Sequence, residues 1–149
     1  MVRPHAQYYA YTEEDIQLIQ DSIDDLRDIG IDHIVFGALT SKNRLDHQLI
    51  ERVCAYTSDM QVTIHKAIDL STHVIEDIDR LRDIKNIHSI LSSGGAITAL
   101  LGLSTLQKMK EACGEEIELI PAGKITADNV NDLDKELQCS TYHGRLIVA

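Results

Sequence analysis

The sequence predicts an α/β domain of the (β/α)8, or TIM-barrel, type, represented here by about six βα units. Short apolar runs rich in β-branched residues alternate with stretches of helical period along the whole chain. Successive runs end 22 to 32 residues apart, which is close to the length of one βα unit. Strict alternation of this kind is typical of a parallel sheet with right-handed crossovers.

The six predicted strands cover residues 1–4, 33–36, 61–64, 89–91, 118–120 and 141–143. Between them, amphipathic patterns predict helices over residues 12–29, 45–56, 74–84, 98–112 and 127–137. Three of these helices begin beside residues that often act as N-caps, namely Thr12, Thr72 and Thr126. No linker or change of composition divides the chain, so residues 1–149 are predicted to form a single domain.

Polar or glycine-containing clusters follow nearly every predicted strand, and this distribution favours a barrel over a doubly wound open sheet. In an open sheet, ligand residues gather near the one point where the strand order reverses. In a barrel, every strand contributes to the same mouth. Six strands suit an open sheet and are two fewer than a closed barrel contains, but the distribution of polar residues favours strands in barrel order without a reversal.

The composition excludes two classes of partner. The 149 residues include 24 Asp and Glu against 14 Lys and Arg, a formal net charge of −10, which repels nucleic acid and anionic lipid. No window reaches the roughly 18 apolar residues that a spanning helix needs. The three cysteines form no CxxC pair, so neither a disulfide framework nor a zinc ribbon is indicated and a reducing, cytoplasmic setting is expected.

The stretch Ser-Ser-Gly-Gly at residues 92–95 follows a predicted strand directly. Glycines permit a close approach of the backbone, serine hydroxyls donate hydrogen bonds, and the next helix directs free N–H groups at the turn. We therefore predict that Ser93, Gly94 and Gly95 bind a small anion, a phosphate or a carboxylate. The alternative is an ordinary tight βα turn, in which glycine is common anyway.

A second turn of this kind follows the next predicted strand. Gly123 opens it, Lys124 offers a positive charge, and a helix is predicted to begin shortly afterwards. Phosphate sites in barrels commonly use neighbouring loops near the last strands, so Gly123 and Lys124 are further candidates for anion binding. The alternative is an ordinary helix start with a solvated lysine.

The segment "TIHKAID" places a histidine, a lysine and an aspartate after the strand at residues 61–64. His65 and Asp69 are the candidate catalytic residues, with His65 as general acid or base, and Lys66 is a candidate anion ligand. Arg3 and His143 belong to the first and last predicted strands, and each is either an anion ligand or a polar strand end. The alternative for His65 is a structural histidine at the barrel mouth.

The sequence gives little support to a metal site. Cys54 and Cys113 lie on predicted helices and Cys139 precedes the last predicted strand, so the expected state of the thiols is buried or inert. His5, His65 and His143 lie in or just after strands that end at the mouth, but the sequence does not show that they meet there. No metal ligand and no certain cofactor is therefore predicted from the residues alone.

Six ordered segments resemble the motifs of the CutC family, which is named for copper homeostasis: "VRPHAQYYAYTEED", "HIVFGAL", "VTIHKAID", "ILSSGGAITALLGL", "ELIPAGKITADNV" and "YHG". The resemblance implies a TIM barrel, generally cytoplasmic and often oligomeric, with copper as a possible ligand. It also implies that two βα units before the Arg3–Pro4 motif and a closing C-terminal helix are missing. Where the family usually has Arg-Gly-Gly, this chain has His5, Ala6 and Gln7, which implies a tighter mouth.

Two functions of different class follow. The first is a CutC-like role in copper homeostasis or copper binding. The second is a barrel enzyme acting on a small phosphorylated or carboxylated substrate, and an inactive, truncated remnant is a third possibility. Because the edges at residues 1–4 and 141–143 would be unpaired, and Leu146, Ile147 and Val148 have no covering helix, we also expect a homo-oligomer.

Overall fold

The structure is a computed structural model that describes residues 1–6 and 8–147. Within these residues the strands are β1 (His33–Phe36), β2 (Gln61–Ile64), β3 (Ile87–Ser92) and β4 (Glu118–Pro121). The α-helices are α1 (Glu13–Asp28), α2 (His47–Tyr56), α3 (Val74–Leu81), α4 (Leu103–Cys113) and α5 (Val130–Leu137). A 3₁₀ helix (Lys66–Leu70) follows β2.

The four strands form one parallel sheet in the order β1-β2-β3-β4. In register, Phe36 lies beside Ile64, Ile64 beside Ile90, and Ile90 beside Leu119. The order therefore follows the chain without a reversal, as a barrel wall requires and a doubly wound sheet does not. This confirms the predicted fold class, an α/β chain of partial TIM-barrel type.

The predicted strands at residues 1–4 and 141–143 are wrong as strands. Val2 donates its N–H to the carbonyl of Val35 at 2.9 Å, and His143 donates its N–H to the carbonyl of Pro121 at 2.9 Å. Both segments thus lie beside the outer strands in the expected places, but neither continues as a ladder. On the first segment, Pro4 has no N–H to donate, and the Arg3 side chain binds the carbonyl of Ala6 and holds a bend.

The helix starts show which predicted caps are real. Thr12 forms a capping box with Asp15, as predicted, in which each residue bonds the backbone N–H of the other. Helix α3 begins after His73 and α5 after Asn129, so Thr72 and Thr126 are not the N-caps. Helix α4 begins at Leu103 and not at residue 98, because the backbones at Gly94 and Gly102 pack in close contact just before the helix.

One face of the sheet carries the core. Side chains alternate between the faces of a strand, and those buried against the helices include Ile34, Phe36, Val62, Ile64, Ile90 and Leu119. The helices contribute Ile19, Ile23, Ile50, Ile78, Leu81 and Leu106 to the same cluster. On the opposite face, Val35, Leu91 and Ile120 are only partly buried. That face corresponds to the interior of a closed barrel.

None of the helices in the described residues is both long enough and apolar enough to cross a membrane.

Candidate functional site

The carboxyl ends of the strands bring the predicted site residues to one edge of the sheet. His65 continues β2 and donates its N–H to the carbonyl of Phe36 at 3.0 Å. Ala122 continues β4 and donates its N–H to the carbonyl of Ser92 at 2.7 Å. We call this edge, together with the loops that follow it, the strand-end site.

The carboxylate of Asp69 is the centre of one half of this site. It accepts hydrogen bonds from the backbone N–H groups of Ser93, at 3.1 Å, and Gly95, at 3.2 Å. The hydroxyls of Ser92 and Ser93 also donate to it, and the ammonium of Lys66 lies 3.2 Å away. The donors that the sequence offered to an external anion therefore hold an internal carboxylate.

This arrangement explains why the turn contains two glycines. Gly94 and Gly95 have positive φ, 67° and 72°, which other residues rarely adopt. A Cβ on Gly94 would lie 2.3 Å from the carbonyl oxygen of Gly102, and one on Gly102 would lie 1.9 Å from that of Ser93. The geometry of the turn thus depends on glycine whether or not a ligand binds. The anion-binding roles of Lys66, Ser93, Gly94 and Gly95, and the catalytic role of Asp69, stay predictions.

His65 occupies the other half of the site and is 4% exposed. It is the N-cap of the 3₁₀ helix, and its Nδ1 accepts the N–H of Ala67 at 3.1 Å. Its Nε2 is buried with no hydrogen-bond partner among the described residues. Gly37 leaves room for the ring, because a Cβ there would lie 2.7 Å from Nδ1. Burial and the nearby charge of Arg3 lower the pKa of His65 to about 4.

Two residues of the N-terminal segment cover His65. The ring of Tyr9 lies 4.9 Å from the imidazole, centroid to centroid, and the guanidinium of Arg3 lies 4.5 Å above the Tyr9 ring. Arg3 donates from Nη2 to the carbonyl of Ala6 at 2.8 Å, whereas its Nε is buried without a partner in the described part of the chain. Arg3 and His65, which were predicted from separate motifs, therefore both contact the ring of Tyr9.

Unpartnered polar atoms concentrate in this half of the site. Five buried side-chain N or O atoms have no hydrogen-bond partner among the described residues, and four of them belong to Arg3, His5, Tyr11 and His65. Tyr11 stacks on Phe36 at 5.9 Å, His5 lies 5.5 Å from Tyr11, and burial raises the pKa of Tyr11. Because buried polar groups are normally bonded, their concentration marks this region as one that a ligand can complete.

The remaining predicted residues divide between the turn and the surface. Gly123 packs on the turn, since a Cβ there would lie 2.9 Å from the Cβ of Ser93, and its carbonyl accepts the N–H of Ala99 at 2.9 Å. The side chains of Lys124 and His143 are exposed and form no hydrogen bond to another described residue. Their proposed anion-binding roles are predictions that only binding experiments test.

The cysteines belong to no site of three or more metal ligands in the described residues. Burial raises the pKa of Cys54 and of Cys113 to about 12, which disfavours the thiolate that binds metals. Cys139 is partly buried, and all three thiols are free. No group of three or more His, Cys, Asp or Glu side chains in the described ranges is placed to hold a metal ion, so His5, His65 and His143 do not form one.

A second polar network, which no sequence motif indicated, is centred on Asp77. This fully buried carboxylate accepts hydrogen bonds from Arg44 at 2.6 Å, His47 at 3.1 Å, the N–H of Leu45 at 3.1 Å and the hydroxyl of Ser71. Burial raises its pKa, but these donors outweigh burial and hold the pKa at about 2. The network joins the loop after β1 to the start of α3 and is structural.

Tyr9 was also missed, although the sequence held a signal. Three of the five tyrosines, Tyr8, Tyr9 and Tyr11, stand within four residues of one another just after Arg3. Such clustering in a chain with 4% aromatic residues indicates a common packing site.

A parallel sheet in chain order, with polar side chains at the carboxyl ends of its strands, defines a protein of the TIM-barrel class. The sequence profile of the CutC family matches residues 1–147, and the chain belongs to that family. The crystal structure of a copper homeostasis protein CutC from Streptococcus agalactiae superimposes with a TM-score of 0.92 at 23% identity, covering 99% of this chain and 71% of the other. At that identity the likeness concerns the fold alone.

Individual relatives give the same family. The family protein CutC of Glaesserella parasuis is 30% identical over 143 residues, which are 96% of this chain and 58% of the relative. A copper homeostasis protein cutC homolog from Dictyostelium discoideum is 26% identical over 166 residues, covering 96% of this chain and 59% of that protein. The chain thus spans less than two thirds of the curated relatives that it matches.

Proposed function

We propose that this protein takes part in copper homeostasis and that its working site is the strand-end site. Membership of the CutC family supports the role, because copper homeostasis is in the name of the relative from Dictyostelium discoideum. The reducing cytoplasm is the compartment we propose, since it suits three free thiols.

Copper would be cargo for this protein, and the thiols of the chain are poorly suited to hold it. Cu(I) prefers thiolate and thioether ligands, whereas burial keeps Cys54 and Cys113 in the thiol form. We therefore propose that the contribution to copper homeostasis does not depend on storage of copper by these cysteines.

The second candidate function is the binding and conversion of a small phosphorylated or carboxylated molecule at the strand-end site. The observation that favours it is the pair of buried, unpartnered donors on Arg3 and His65, both in contact with Tyr9. In a chain with a net charge of −10, a guanidinium whose Nε–H is buried and unused among the described residues is a local exception suited to an oxyanion.

Growth in copper of a bacterial strain that lacks its own CutC protein tests the first function. We expect the wild-type chain to restore copper tolerance and Arg3→Ala to lose that effect. Lys135→Ala, on an exposed ion pair of α5, is the matched control and should restore tolerance. If the wild-type chain is folded and abundant but does not restore growth, the copper role is wrong and the inactive remnant is favoured.

Titration of the purified protein with inorganic phosphate and with acetate, followed by NMR, tests the second function. We expect resonances of Arg3, Tyr9 and His65 to shift with saturation, and Arg3→Ala to weaken the binding at least tenfold. Absence of binding in the folded wild type would exclude this candidate without touching the copper test.

A further inference from the structure

We propose that His65 presents a fixed hydrogen-bond donor, Nε2–H, to an acceptor oxygen of the ligand at the strand-end site, rather than acting as a base or a metal ligand. This inference rests on the second candidate function and specifies the chemistry of its ligand. It is carried by the hydrogen bond at Nδ1 and by the absence of a described partner at Nε2.

The position of the proton follows from the backbone. A neutral imidazole has one nitrogen that donates and one that accepts. Nδ1 accepts the N–H of Ala67 at 3.1 Å, and an N–H group can only donate, so the lone pair is at Nδ1. The proton of the neutral ring is therefore at Nε2.

The surroundings also favour the neutral ring. His65 is buried, and the positive charges of Arg3 and the N-terminal amine oppose a second proton. On the Nδ1 side, the edge of the ring packs against Gly37. This residue has no side chain that could accept a proton from the ring. In this state the Nε2 nitrogen has no free lone pair, so it can neither remove a proton from a substrate nor bind Cu(I).

The neighbouring guanidinium of Arg3 is also a hydrogen-bond donor. Arg3 offers an unpartnered Nε–H, and a guanidinium has no acceptor. Two donors that both contact the Tyr9 ring select a ligand with acceptor oxygens, a carboxylate or a phosphate, over an amine or a metal cation. Because Nε2 is buried, the ligand reaches it only when a covering side chain shifts, and Tyr9 is one of these.

Two variants separate the two nitrogens. In His65→Asn, the amide oxygen can replace Nδ1 as acceptor for Ala67, since Asn is a good N-cap, while the donor at Nε2 is lost. In His65→Gln, the longer side chain can place an amide N–H near the Nε2 position, while the cap is lost. We expect His65→Asn to keep the Tm near that of the wild type and to lose phosphate or acetate affinity at least tenfold. We expect His65→Gln to show the reverse pattern. The control His88→Asn, at an exposed position near the start of β3, should change neither.

Long-range ¹H–¹⁵N NMR of the labelled wild-type protein reads the tautomer directly, without any ligand. We expect a protonated Nε2 and no titration of His65 between pH 5 and pH 8. A protonated Nδ1, a titration in that range, or unchanged anion affinity in folded His65→Asn would overturn the inference. Binding of neither anion by the wild type would overturn the ligand class together with the second candidate function, whereas a wrong tautomer in a protein that binds would overturn the inference alone.

Discussion

The carboxylate of Asp69 accepts the backbone N–H of Ser93 at 3.1 Å and thereby joins the 3₁₀ helix after β2 to the turn after β3. Two neighbouring βα loops are thus held by one side chain that is 9% exposed. The first role of the Ser-Ser-Gly-Gly sequence at residues 92–95 is therefore to bind the internal carboxylate of Asp69.

Replacing Asp69 should therefore destabilise the fold. Asp69→Ala leaves the N–H of the buried residue Ser93 without its acceptor and removes the carboxylate that faces the Lys66 ammonium. Unsatisfied buried donors cost about 1–3 kcal/mol, and urea unfolding should show a loss of that size. Asp132→Asn, on an exposed ion pair, is the control and should unfold like the wild type. Equal stability of Asp69→Ala and the control would show that the turn forms without Asp69.

Asp77 should make stability depend on pH in the acid range. Its pKa is about 2 in the folded protein against about 3.9 when unfolded, so its contribution is present above pH 4. As the pH falls from 4 towards 2, the folded carboxylate must also take up a proton and the contribution is lost. Asp77→Asn should cost about 3 kcal/mol at pH 7, since it leaves Arg44 without its buried partner.

Urea unfolding of the wild type and Asp77→Asn at pH 7, 5 and 3 measures this difference. We expect the gap in free energy of unfolding to remain constant from pH 7 to pH 5 and to narrow at pH 3. A gap that does not change with pH would mean that the carboxylate charge contributes nothing to the network.

Replacing all three cysteines with serine should leave Cu(I) affinity largely unchanged, because burial raises the pKa of each thiol and none belongs to a group of three or more metal-ligating side chains in the described residues. Competition with a coloured Cu(I) chelator measures the affinity, and circular dichroism confirms that the variant is folded. A loss greater than about tenfold, roughly 1.4 kcal/mol, would contradict this expectation.

The isolated chain should self-associate. Each outer strand, β1 and β4, has one strand neighbour in the described residues, and Val2 and His143 extend the edges by single backbone bonds. Unpaired strand edges pair with other chains. Val148, part of the sequence argument for this expectation, lies outside the described residues. Light scattering at micromolar concentration should show species larger than 16.7 kDa, and a stable monomer with cooperative unfolding would refute the prediction.

The central strands were predictable because their cause is local. Runs such as Ile34 to Phe36 and Val62 to Ile64 combine burial with β-branched residues, and the interval between them indicates the crossover. The structure of the two end segments was not predictable in this way, because a strand also needs a partner in register. The sequence of residues 1–4 or 141–143 does not indicate how many backbone hydrogen bonds the neighbouring strand forms with the segment.

The candidate site was predictable as a set of residues but not as a set of contacts. His65, Asp69 and the glycine turn follow strands, and parallel strands place their carboxyl ends at one edge. That Asp69 binds Ser93, 24 positions away, depends on how the loops pack. The Tyr9 cover and the Asp77 network likewise join residues about 30 or more positions apart, as in the 33 positions between Arg44 and Asp77.

The chain-ordered sheet also has a kinetic consequence. Every strand pairs with the strand that comes next in the sequence, so no pairing has to wait for a distant segment. Each pairing closes a loop of one βα unit, so its closure entropy is smaller than that of a pairing between strands far apart in the sequence. During synthesis on the ribosome, each βα unit can therefore join the sheet as it emerges. The most recently added strand then has an unpaired edge until the next unit is made.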